Sequence, residues 1–110
     1  MSPAAVKATF FILIAATVIL EVIADVLFKK WTIGSRNLYL GIGLFIYFAG
    51  TVFWAFSLKY EFLSKAISVF SILNLVIIVL VGVFMFNEHL SLINKIGIAL
   101  GVLSVIFIEI

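Results

Sequence analysis

The chain has 110 residues, of which 66% are hydrophobic and 11% charged, with a formal net charge of +2. A soluble domain is nearer half apolar and a quarter charged, so the composition excludes an ordinary water-soluble domain and points to an all-α membrane protein. With no cysteine there is no disulfide framework, thiol nucleophile or thiolate metal site, and a single histidine leaves no cluster for a metal. No cofactor is expected.

The first predicted helix covers residues 8–28. It is too long and too acidic for a signal peptide, and no small-residue cleavage site follows it. It carries Glu21 and Asp25, with Thr17 one turn before them. The second helix is predicted over 38–58, where the run from Leu38 to Leu58 carries no charge. The third covers 66–87, matching the uncharged run from Ala66 to Asn87. A hydrocarbon core of about 30 Å needs about 20 helical residues, so each run is long enough to span. A helix also satisfies its own backbone hydrogen bonds, as lipid requires. The fourth helix, 93–110, is near the lower length limit, with Glu109 expected at the headgroups. The charges gather between these runs: Lys29, Lys30 and Arg36, then Lys59, Glu61 and Lys65, then Glu88, His89 and Lys95. Loops of about 7 to 10 residues would make consecutive helices antiparallel neighbours. The whole chain, 1–110, reads as a single four-helix transmembrane domain.

Orientation is balanced. Lys7, Lys59 and Lys65 fall on one side, and Lys29, Lys30, Arg36 and Lys95 on the other; the N-terminal amine makes the count level. Insertion in both orientations, followed by pairing as an antiparallel dimer, is one reading. A topology fixed by something other than charge is the other. Gly97 and Gly101 form a GxxxG pattern that Ser104 extends, a spacing that lets backbones approach closely, either between subunits or within the monomer.

Glu21 and Asp25 are the most informative residues. A carboxylate at mid-span costs about 2.5–3.5 kcal/mol on insertion scales, so such groups face protein or a water-filled cavity. Their i, i+4 spacing puts both on one helix face. Close carboxylates titrate as a coupled unit, and a proton and a cation compete for the same charge. That exclusion is the basis of an exchanger. Asp25 alternatively forms an i, i+4 pair with Lys29. Gly43, Tyr47, Gly50, Thr51 and Trp54 on the second helix, and Ile67, Phe70, Ser71 and Asn74 on the third, recur at helical spacing and are candidate walls. Aromatic faces attract organic cations where water is excluded, although ordinary packing explains any single ring. Asn74 wants either an interhelical hydrogen bond or a cavity. Trp31 and Tyr60 read as interface anchors, and Glu88 and His89 as solvated loop residues. The pI near 9.1 does not imply nucleic acid, because the basic residues flank helices. No Gly-rich phosphate loop or Ser-His-Asp set is present, and an enzyme is not expected.

The run Leu20-Glu-Val-Ile-Ala-Asp-Val-Leu-Phe-Lys29 resembles the first-helix signature of the small multidrug resistance family, in the drug/metabolite transporter superfamily. In that family a Glu in this frame is followed eight residues later by Lys. Ser57-Leu-Lys-Tyr-Glu-Phe-Leu-Ser-Lys-Ala66 resembles its second loop, and Phe86-Asn-Glu-His-Leu-Ser91 with Ile96-Gly97 its entry into the fourth helix. The resemblance implies a prokaryotic inner-membrane, proton-coupled antiporter of small organic cations that works by alternating access. It implies an antiparallel homodimer or paired heterodimer with Glu21 as shared proton and substrate site. The family's first-helix face falls on Ile14, Thr17, Val18, Glu21, Ala24 and Asp25. Ile67 and Phe70 stand where the family has Tyr and Trp, Asn74 replaces a kink glycine, and Asp25 replaces a small or neutral residue. These departures favour a more polar or multiply charged cation, such as a polyamine, over an aromatic drug. The first helix is also similar to the polyamine-exporting branch; the guanidinium-exporting branch has a Trp in this helix that is absent here. Two alternatives stay open: a transporter of another metabolite, such as a lipid-linked sugar, and a non-transporting membrane subunit whose acids hold a partner helix.

Overall fold

The computed structural model describes residues 2–34 and 36–109. They form four α-helices in chain order: α1 Pro3–Gly34, α2 Asn37–Ser57, α3 Leu63–Phe86 and α4 Leu92–Glu109. There is no strand among the described residues. Three helices, α1, α2 and α3, are long and apolar enough to cross a membrane. At 18 residues, α4 extends about 27 Å, shorter than the other three. Large apolar side chains stand outward on every helix, as with Ile12 (69% exposed), Phe45 (74%), Phe84 (77%) and Phe107 (73%). So many large apolar side chains facing outward suit lipid rather than water.

The first helix corrects the predicted 8–28 at both ends. Charge marks where the chain meets the headgroups, not where a helix stops. A helix of 32 residues spans about 48 Å, so its ends project beyond the hydrocarbon. Ser2 caps its start, its Oγ accepting from the Ala5 N–H at 3.1 Å, with Pro3 at the first helical position, where a missing N–H costs nothing. The connections 58–62 and 87–91 have five residues each, shorter than the predicted 7 to 10. The other predicted boundaries move by one to three residues. Ile110, the last residue of the predicted fourth helix, and the side chain of Glu109 lie outside the described residues.

The remaining helix ends follow local chemistry. The last turn of α2 tightens through i→i−3 bonds, with Leu58, Lys59 and Tyr60 donating to Ala55, Phe56 and Ser57. Asn87 ends α3 in the left-handed region (φ 54°), which Asn tolerates better than most residues. The chain then turns back, and the Glu88 N–H donates to the Gly82 carbonyl at 3.2 Å. A Cβ at Gly82 would collide with the Glu88 carboxylate. Glu88 and His89 are exposed, yet Glu88 is folded over the end of α3 rather than simply solvated. Ser91 caps α4, its Oγ accepting from the Asn94 N–H at 3.1 Å.

The chain divides into two compact units, residues 1–62 and 63–110. In the first, α1 and α2 pack along a seam built on two glycines. Gly43 faces Ala24 and Phe28, and Gly50 faces Thr17, Leu20 and Glu21. Rising numbers on one helix meet falling numbers on the other, so the pair is antiparallel. Trp31 Nε1 donates to Asn37 Oδ1 at 3.3 Å across the connection. In the second unit, α3 and α4 are likewise antiparallel: Gly101 sits on Ile72, while Leu75 and Val79 share a groove with Ile93 and Gly97.

Candidate functional site

Helix geometry explains where the two carboxylates stand. At about 100° per residue, the α1 residues touching α2 (Thr17, Leu20, Glu21, Ala24 and Phe28) fall on one arc, with Glu21 at its edge. Asp25 lies about 40° further round. The buried residues of α1 (Phe10, Ile14, Thr17, Val18, Val22 and Ala24) span about 160° of the helix, and both acids lie within that span. Glu21 and Asp25 are half-buried. Lys29 and Lys30 are exposed, and among the described residues neither carboxylate has a cationic or hydrogen-bonding partner. The i, i+4 pair between Asp25 and Lys29 is therefore not formed, which leaves Asp25 with Glu21 as a two-acid face.

The seam surrounds Glu21 closely on its α2 side. A Cβ at Gly50 would lie 3.2 Å from Glu21 Cγ, 3.3 Å from Leu20 Cβ and 3.6 Å from the Thr17 carbonyl oxygen. Thr17 is fully buried, and its hydroxyl donates to the Leu13 carbonyl at 2.9 Å. That bond uses its one donor and leaves acceptor capacity. Tyr47, one turn from both glycines, stacks obliquely on Phe28 with ring centroids 6.5 Å apart and is 44% exposed. Thr51 is exposed and donates back to the Tyr47 carbonyl at 3.0 Å. Trp54 is half-buried, and its carbonyl accepts from buried Ser57 Oγ at 2.6 Å. Of the residues predicted on α2, Gly43 and Gly50 thus serve the helix seam, while Tyr47 lies beside it.

The second unit holds the remaining predicted residues. Phe70 is half-buried, and Ile67 and Ser71 are exposed. Asn74 is half-buried, with its Oδ1 out of reach of solvent and without a hydrogen-bond partner among the described residues. An unpaired buried acceptor costs about 1–3 kcal/mol. On α4, Gly97 and Ser104 are exposed. A Cβ at Gly97 would meet nothing within 4 Å, whereas one at Gly101 would meet Ile72 Cδ1 at 3.1 Å. The small-residue stripe therefore splits: Gly101 packs inside the unit, and Gly97 lies at an open apolar groove of about 390 Å³ between α3 and α4.

Sequence reasoning missed the part played by Gly50, where a Cβ would crowd the Glu21 stem. The available signal was the repeat of glycine at 43 and 50, which returns to the same face after two turns. Compared with known proteins, the chain matches no family model, no curated protein and no solved structure.

Proposed function

We propose that the protein is a proton-coupled antiporter that moves small organic cations across a prokaryotic plasma membrane, with Glu21 as the shared proton and substrate site and Asp25 beside it. One observation carries this reading. Two carboxylates one turn apart on a membrane-spanning helix are half-buried and have no cationic partner among the described residues. Carboxylates at that depth are costly and are neutralised either by a proton or by a cation. Because one excludes the other, binding of cargo releases a proton, and its departure takes one up. All four helices cross the membrane on this reading, and the site is shared by two copies of the chain. The resemblance of Leu20–Lys29 to the small multidrug resistance signature supports the same conclusion.

Reconstitution into proteoliposomes tests it. An inward proton gradient should drive guanidinium, a quaternary ammonium or spermidine against its own gradient. Glu21→Gln should abolish that flux while leaving the protein folded and its association unchanged. A Glu21→Gln protein that loses assembly and nothing else supports a structural role for the acid instead. Wild-type protein that moves none of these cations contradicts the proposal.

A further inference from the structure

We propose that Gly50 is a positioning residue for the Glu21 carboxylate: the absence of a side chain on α2 at that point selects the Glu21 rotamer and so fixes where the carboxylate emerges from the α1–α2 seam. This deepens the reading of Glu21 as the proton and cation site and rests on it.

The three neighbours of the missing Cβ differ in how they can yield. Leu20 Cβ, at 3.3 Å, and the Thr17 carbonyl oxygen, at 3.6 Å, are fixed to the α1 backbone. Glu21 Cγ, at 3.2 Å, turns about χ1. A methyl group at position 50 would press on Glu21 Cγ and Leu20 Cβ alike, and of the two only Glu21 Cγ yields by turning about its side chain. Inside a helix the trans and gauche-minus wells of χ1 are both open, and the third clashes with the preceding turn. A step between the two open wells swings the carboxylate to another place on the face of α1. Crowding at Gly50 is thus converted into displacement of an ionisable group.

Gly43 provides the internal contrast. It lies two turns away on the same face of α2, and a Cβ there would crowd the Phe28 ring at 2.7 and 2.9 Å. That ring edge belongs to an apolar side chain that rotates aside without moving a carboxylate. Two glycines that look equivalent in the sequence therefore differ: Gly43 serves packing alone, and Gly50 serves packing and the placement of charge.

The experiment is an NMR titration of the full chain in lipid nanodiscs, with Glu side-chain carbons and Gly backbone atoms isotopically labelled. In the wild type, Gly50 signals should follow the same midpoint as the Glu21 carboxyl, and Gly43 signals should not. Gly50→Ala should move the Glu21 midpoint by about half a pH unit or more and weaken cation binding about tenfold, because the environment of the charge sets both. Gly43→Ala should leave the midpoint in place even where it lowers thermal stability. A Glu21 midpoint unchanged by Gly50→Ala, or Gly50 signals blind to Glu21 in the wild type, overturns the inference. The wild-type arm needs no variant and stands even if Gly50→Ala does not fold. Absence of cation binding alongside a Gly50-dependent midpoint would count against the antiporter reading and not against this one.

Discussion

The two helix pairs solve the same packing problem differently. In the α1–α2 unit, Gly43 and Gly50 bring the α2 backbone against Ala24, Phe28, Leu20 and Glu21, and the two mid-span acids, Glu21 and Asp25, lie on this pair. In the α3–α4 unit, Gly101 makes one such approach, onto Ile72, Gly97 stands at an open groove, and α4 has no buried residue among those described. Lipid offers helices no hydrophobic reason to associate, so association depends on close contact and polar pairing. The close seam runs past the Glu21 stem. The looser pair leaves apolar surface for lipid or for a second copy.

The largest expected effect tests this contrast directly. Gly50→Leu should destabilise the chain by about 3 kcal/mol, because the new side chain meets backbone-anchored atoms of α1. Gly97→Leu should not lower monomer stability, since a Cβ there meets nothing within 4 Å and Leu is the better helix former by about 0.5–1 kcal/mol. Denaturation of both variants in mixed micelles reads the difference, and equal losses would remove the asymmetry between the pairs. An effect of Gly97→Leu on association, measured by crosslinking, would assign that open face to contact between copies of the chain.

A second test sharpens the electrostatic side. Two unpaired carboxylates attract a polycation more than a monocation. Asp25→Asn should therefore weaken spermidine about tenfold more than guanidinium, about 1.4 kcal/mol of selectivity, as measured by competition binding. Equal weakening of both would reduce Asp25 to a general contributor of charge.

Two smaller effects concern the second unit. Asn74→Leu removes the unpaired acceptor and should raise the stability of the protein by about 1 kcal/mol. A loss of that size instead would mean that the amide has a partner in the membrane. Ser91→Ala deletes the α4 cap and should cost about 1 kcal/mol, visible as faster amide exchange at Asn94.

Much of this fold was legible because uncharged runs such as Leu38–Leu58 and Ala66–Asn87 match the length of a membrane-spanning helix, and the bilayer leaves few alternatives to a helix. The ends of α1 were not legible from charge, because Lys29 and Lys30 mark the water boundary and the helix continues to Gly34; Ser2-Pro3 was the better signal for its start. Glu21 and Asp25 were found because an intramembrane acid is costly. Whether Asp25 pairs with Lys29 was not decidable from spacing alone, since i, i+4 proximity permits a pair without forming one. The roles of Gly43 and Gly50 depend on which α1 residues face them, and that register is set by the helix crossing, not by either helix alone.

Competition between proton and cation at Glu21 is read out by cation-induced proton release from the purified protein in detergent. Wild type, Glu21→Gln and Asp25→Asn would be compared with quaternary ammonium, guanidinium and spermidine. Release on cation addition to the wild type, absent in Glu21→Gln, is the predicted result and would establish that proton and cation compete at this carboxylate. A folded wild type that releases no proton with any of them, or a Glu21→Gln protein that releases as many, would contradict it.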